Sequence, residues 1–206
     1  MKFSHSAMVL APAAVVLAAP AAQSQTDQLS KVAAHMQAVK TMTGTFTQTD
    51  RKGRTTGGNF LLKRPGHVRF EYGKGGQLLI VGDGKSLYVI DYQVRQVQRW
   101  PIGNSPLSAL LNPGQDVRKY GKLNPTSNND VISVDVRDPK RPEYGTMTMI
   151  FVKQPGAPAG YTLTGWVALD SKNNRTTVRL SNVQFNTAIA DSRFAWKDPR
   201  PPQKRK

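Results

Sequence analysis

The chain has 206 residues and no cysteine, with 29 lysines and arginines against 13 acids, a formal charge of +16. That length builds one well-packed domain, and the missing cysteine excludes disulfide scaffolds. The basic excess suits an anionic surface, either nucleic acid or a membrane face, and is otherwise a solvated basic exterior.

Met1–Ala22 reads as a secretory signal peptide: Lys2, an apolar run from Ala7 to Ala19, then the small residues Ala19-Pro20-Ala21-Ala22. The run is too short to span a bilayer, which needs about 20 apolar residues. Cleavage after Ala22 leaves 184 residues at +15. The expected product is an exported periplasmic protein, and without cysteine it has no lipid attachment site. Export makes nucleic acid an unexpected partner.

In Asp27–Thr41 the residues Leu29, Val32, Ala33, Met36 and Val39 follow helical spacing, and Thr26 or Asp27 can cap it. His35 reads as a surface residue of that helix. Strand and turn signals follow over Thr45–Thr49, Thr55–Lys63, His67–Tyr72, Gln77–Val81, Ser86–Tyr92 and Gln96–Pro101. They resume over Val131–Arg137, Thr146–Lys153, Tyr161–Asp170 and Arg175–Phe185. Many short strands with turns between them predict one antiparallel sheet. Between the two sets, Ser105 and Pro106 open a short apolar helix through Leu111, and Asn112-Pro113-Gly114 stops it. A helix that short needs a sheet to lie on. Residues 23–196 form the expected domain, and 197–206 a basic, proline-rich tail expected to be disordered.

The centre of the pattern is Gly58–Tyr72, two strands joined at Pro65-Gly66. Alternation puts Phe60, Leu62 and Arg64 on one face, and Val68, Phe70 and Tyr72 on one face of the return strand. With too few long helices to fill a wide sheet, Phe46, Phe60, Leu62, Val68, Phe70, Tyr72, Ile80, Val89 and Trp100 are expected to line one concave apolar face. Arg64 has two readings. It snorkels to water at the strand end, or it sits in apolar surroundings and finds hydrogen-bond acceptors there.

Enzyme readings find little support. Gly84-Lys85-Ser86 is like the end of a phosphate-binding loop, but Leu79 replaces the first glycine and a strand follows. There is no G-x-S-x-G, and His5, His35 and His67 lack metal-ligand spacing. No catalytic residue, metal or cofactor is expected.

The blocks occur in a telling order. An amphipathic helix precedes Gly44-Thr45-Phe46-Thr47-Gln48. Then come Leu62-Lys63-Arg64-Pro65-Gly66, Arg69-Phe70-Glu71-Tyr72, Leu79 through Leu87, and Gly103-Asn104-Ser105-Pro106. From about Asp27 to Phe194 the chain resembles the LolA-type outer-membrane lipoprotein carrier family. The resemblance implies an incomplete, half-open antiparallel β-barrel whose open side is covered by helices over an apolar cavity for acyl chains. It implies a monomer that collects lipoproteins from an inner-membrane lipoprotein-releasing ABC transporter and passes them to an outer-membrane acceptor or to the outer membrane itself. It places the family's lid-holding arginine at Arg64, with Leu29, Val32, Met36, Leu107 and Leu110 on the lid helices. Val68, the loops 126–130 and 154–158, and the basic tail depart from better-known members. A lipid-sensing regulatory module on the same fold, or an exported hydrolase, are the alternatives.

Overall fold

Alternating apolar and polar residues over short runs dictate strands with one buried face. The computed structural model describes residues 20–73, 75–102, 108–111, 117–137, 143 and 145–201, without the side chains of 20–25, 108, 109 and 119. A helix, α1 (Pro20–Ala38), leads into β1 (Thr41–Thr49), β2 (Thr55–Lys63), β3 (His67–Tyr72), β4 (Leu78–Asp83), β5 (Ser86–Asp91) and β6 (Gln96–Pro101). Two single-turn helices follow, α2 (Ser108–Leu111) and α3 (Val117–Tyr120). The chain then forms β7 (Gly121–Asn124), β8 (Val131–Val136), β9 (Thr146–Lys153), β10 (Tyr161–Leu169) and β11 (Arg175–Phe185).

All eleven strands form one antiparallel sheet in the order β6-β5-β4-β3-β2-β1-β11-β10-β9-β8-β7. β6 and β7 end the order, so the curved sheet is open: an incomplete barrel covered by helix rather than a closed one. On its concave face one apolar cluster joins Val32 and Met36 of α1 and Leu110 and Leu111 of α2 to Phe46, Phe60, Phe151 and Trp166 of the sheet. A second, smaller cluster lies on the convex face of β4 and β5. There Phe194, from a turn of 3-10 helix at Asp191–Phe194, packs with Leu79, Val81 and Ile90.

The β2–β3 corner is held tightly. Phe60 pairs with Phe70 and Leu62 with Val68. Gly66 adopts φ 75° with its backbone against Gly84, where a Cβ would come within 2.6 Å of the Gly84 Cα. Only glycine meets both demands.

Several expectations need correction. The helix runs from Pro20 to Ala38 rather than from Asp27 to Thr41. Thr26 and Asp27 are therefore interior residues and not its cap, and Asp27 pairs with Lys31 one turn on at 2.6 Å. Thr41 opens β1 instead, which starts before the expected Thr45 and passes an irregularity between Thr43 and Thr45. The apolar spacing at Val39 continues past the point where the backbone has already left the helix. β7 was not foreseen, because Gly121–Asn124 has no alternating pattern long enough to register. Most of the expected signal peptide, residues 1–19, lies outside the described residues, as do Leu107 and residues 202–206 of the tail.

Candidate functional site

Arg64 ends the climb of β2 on the concave side, beneath the helices. Its backbone N donates to the Lys40 carbonyl at 2.9 Å. Its guanidinium donates through Nε to the Leu110 carbonyl of α2 at 3.2 Å and through Nη1 to the Val39 carbonyl at 2.9 Å. Nη1 also donates to the Met36 carbonyl, and Nη2 lies 3.2 Å from the Met36 sulfur. The neighbouring Gly66 N donates to the Leu111 carbonyl at 3.0 Å. One corner therefore ties the C-terminal end of α1 and the end of α2 to the sheet. Helix C-termini leave carbonyls without partners inside the helix, and the planar fork of arginine can serve several at once. Burial pulls the Arg64 pKa down to about 10, so the group remains a cation at neutral pH.

His35 sits one turn before the end of α1 and is not on the surface, as its sequence reading had it. It is 1% exposed. Its Nδ1 lies 2.9 Å from the Pro158 carbonyl, and its ring meets Phe151 and Phe185 edge-on. Burial first, then the Arg64 charge, lowers its pKa, partly countered by hydrogen bonds to the backbone of Pro158 and Tyr161.

Beside the helix-filled region, the concave face encloses a cavity of about 220 Å³. Phe46, Phe70, Trp166 and Val178 form its inner wall with Ile80. Gln48, Tyr72, Met147, Ala168 and Thr176 form its outer ring. Phe46 meets Phe70 and Tyr72 edge-on at 5.0 and 4.8 Å, and Phe70 meets Trp166 at 6.1 Å. The outer-ring residues lie last, next to last or second in their strands, all toward the end of the sheet opposite Arg64. The cavity therefore opens among the hairpin tips at that end.

Tyr72 is the one titratable residue among the described residues of the lining. Its hydroxyl donates to Gln48 Oε1 at 2.8 Å, and burial pushes its pKa up to about 12. A mostly apolar wall in which the Tyr72 and Gln48 side chains satisfy each other favours an apolar guest.

Phe46, Phe70, Tyr72 and Ile80 line this cavity. Phe60, Leu62 and Val68 are buried nearer the corner, packed into the core with Val32, Met36 and Leu110. Leu29 is half-buried against the same cluster. Two expectations fail. Val89 lies opposite Ile80 and shares its face, but it is half-buried beyond the lining. Trp100 shares the face of Leu87, yet β6 is an edge strand and Trp100 is 45% exposed. Alternation assigned both to a face, but it carries no signal for where the curve of the sheet stops enclosing space. Gln48, Met147, Trp166, Ala168, Thr176 and Val178 were missed. Alternation puts Gln48 on the face of Phe46 in β1, Trp166 with Ala168 on one face of β10 and Thr176 with Val178 on one face of β11, and the pairings of β11 with β1 and of β10 with β11 and β9 bring these faces and Met147 together.

A family model described as "Outer membrane lipoprotein carrier protein LolA" matches residues 37–197. The chain is similar to the outer-membrane lipoprotein carrier protein of Chromobacterium violaceum, 30% identical over 91% of this chain and 92% of that one. It is similar to the protein of the same name from Bordetella avium, 28% identical over 93% and 90%. Among solved structures it resembles a DUF1329 family protein from Desulfovibrio piger, with TM-score 0.50 and 12% identity over 84% of this chain and 96% of that one, a likeness of fold alone. The matched region runs through the Arg64 corner and every strand that lines the cavity, and the chain belongs to the LolA family of outer-membrane lipoprotein carrier proteins.

Proposed function

We propose that this protein is a periplasmic carrier that takes the acyl chains of lipoproteins released from the inner membrane into the concave apolar space and delivers them towards the outer membrane. An inner-membrane ABC transporter loads it, and an outer-membrane acceptor or the membrane itself unloads it. The observation that carries this reading is the apolar cavity beside two helices whose ends Arg64 ties to the sheet. Cargo entering between sheet and helices displaces Arg64 from its carbonyls, and the re-formed latch favours the empty state at delivery. Hydrogen bonds from a charged donor contribute about 1.5–3 kcal/mol each, enough together to bias release without a nucleotide site in the carrier.

Mass spectrometry of material copurifying from the periplasm should find triacylated lipoproteins, and recovery of none would reject the carrier reading. Arg64→Leu keeps the bulk and removes the donors. Loading should persist, while transfer from the loaded carrier to an acceptor or to outer-membrane vesicles should slow at least about tenfold, some 1.4 kcal/mol. Arg64→Lys should fall between, because one ammonium cannot span carbonyls on two helices. Transfer by Arg64→Leu at the wild-type rate would leave Arg64 a structural residue.

A further inference from the structure

The end of the sheet where the cavity opens is built from hairpin tips that repeat one arrangement. At Asp50, Asp91 and Asp170, each of which leads into a turn, the carboxylate is spent inside its own loop. Asp50 accepts from the backbone of Lys52 and Arg54 and pairs with Arg54. Asp91 accepts from Gln93 and Val94, and Asp170 from Lys172 and Asn174. The basic residues of the same tips point outward. Arg51, Lys52, Arg95, Lys172 and Arg175 are all exposed, and none is in an ion pair among the described residues. Arg51 Nη1 reaches across to Asn174 Oδ1 at 2.8 Å, locking the β1–β2 tip to the β10–β11 tip. The β1–β2 and β10–β11 tips stand two strand spacings apart, about 10 Å, and the β5–β6 tip lies four spacings from β1–β2, about 20 Å. At the β5–β6 tip Val94, 59% exposed, stands beside Arg95.

We propose that this end is a docking face for an anionic lipid bilayer, which the carrier meets mouth first. Outward cations around an apolar opening, with an exposed apolar side chain at a tip, are complementary to anionic headgroups above an acyl layer. Docked this way, an acyl chain passes between cavity and membrane without crossing water. The docking draws its purpose from the carrier reading, but vesicle binding by empty protein is measured without cargo, so either can fail alone.

The test is co-flotation of the protein with vesicles of phosphatidylethanolamine and phosphatidylglycerol, against pure phosphatidylcholine, at low and high salt. Wild type should bind the anionic vesicles and lose them in high salt. Each basic residue near an anionic surface strengthens binding about fivefold. Joint replacement of Arg51, Lys52, Lys172 and Arg175 by Gln should therefore weaken binding by about several hundredfold. Replacing the exposed Lys40, Lys85, Arg179 and Arg193 by Gln removes the same charge away from the mouth, and should weaken it at most about fivefold. Val94→Ser should weaken it modestly at any salt. Equal losses in the two quadruple variants would mean that net charge, not this face, does the binding. Wild-type binding indifferent to phosphatidylglycerol would overturn the proposal. So would a mouth variant that keeps vesicle binding and loses only loading by the inner-membrane transporter, which would assign the face to a protein.

Discussion

His35 links the seating of α1 to pH. Its pKa is lowered from 6.5, chiefly by burial, so the folded state holds it neutral where the unfolded chain begins to protonate. Below pH 6.5 the unfolded state binds more protons, and folding stability falls as pH drops through the window beneath that value. Protonation also places a second cation near Arg64 and takes the neutral ring from between Phe151 and Phe185. Lowering pH from 7 to 5 should therefore reduce stability through this residue, read from urea midpoints. His35→Leu should start lower, having lost the Pro158 contact, and lose less over the same interval. An unchanged pH slope in the variant would remove His35 from the account. Alternation singled out Arg64 as a cation on an apolar strand face but left it free to snorkel to water, and only the family resemblance pointed to carbonyls of the helices. The sequence hid the burial of His35, whose acceptor lies 123 residues away at Pro158. At i+3 from Val32 the residue was inside the apolar stripe, and only its polarity argued for the surface.

At the scale of elements, α1 depends on what receives its C-terminal end. Asn186, just past β11, has φ 56°, a left-handed conformation that asparagine tolerates better than most residues. Its side chain accepts from Lys40 N at 2.8 Å and donates to the Ala38 carbonyl at 3.1 Å, while its own N donates to Thr41 O at 2.9 Å. It thus completes the turn from α1 into β1 alongside Arg64. Asn186→Ala should cost about 1–3 kcal/mol, from two side-chain hydrogen bonds and the backbone strain. Hydrogen exchange should quicken in the last turn of α1 before it does in β1. A denaturation midpoint equal to wild type would show that Arg64 alone secures the helix end. The strands themselves were legible wherever alternation ran for six residues or more, as in β3, β8 and β9. The helix-to-strand junction was not, because Val39 satisfies both a helical stripe and a buried corner.

Across the whole molecule, the empty cavity is too small for the proposed cargo. A cavity of about 150 Å³ takes one benzene, so one of about 220 Å³ takes the end of a chain, not three acyl chains. Each buried methylene is worth about 0.8 kcal/mol, so a chain of roughly 15 gains about 12 kcal/mol. Three such chains would pass the practical limit of about 18–21 kcal/mol for non-covalent binding. A rigid cavity that held them all could not release them. The open order of the sheet provides the alternative. With β6 and β7 unpaired to each other in the strand order, concave space is bounded on one side by helices rather than by a ladder of strand hydrogen bonds. Volume is gained by moving α1 and α2 off the sheet, and the free energy of displacing them is subtracted from the gain of burying chains. The loaded protein should therefore show faster amide exchange in the C-terminal half of α1 and in α2 than the empty one. β1, β2 and β3, paired on both sides, should be unchanged. In Arg64→Leu the empty form should already exchange at close to the loaded rate in these helices. If loading instead slowed exchange in α1, the helices would be closing over cargo, and Arg64 would hold the loaded state rather than the empty one.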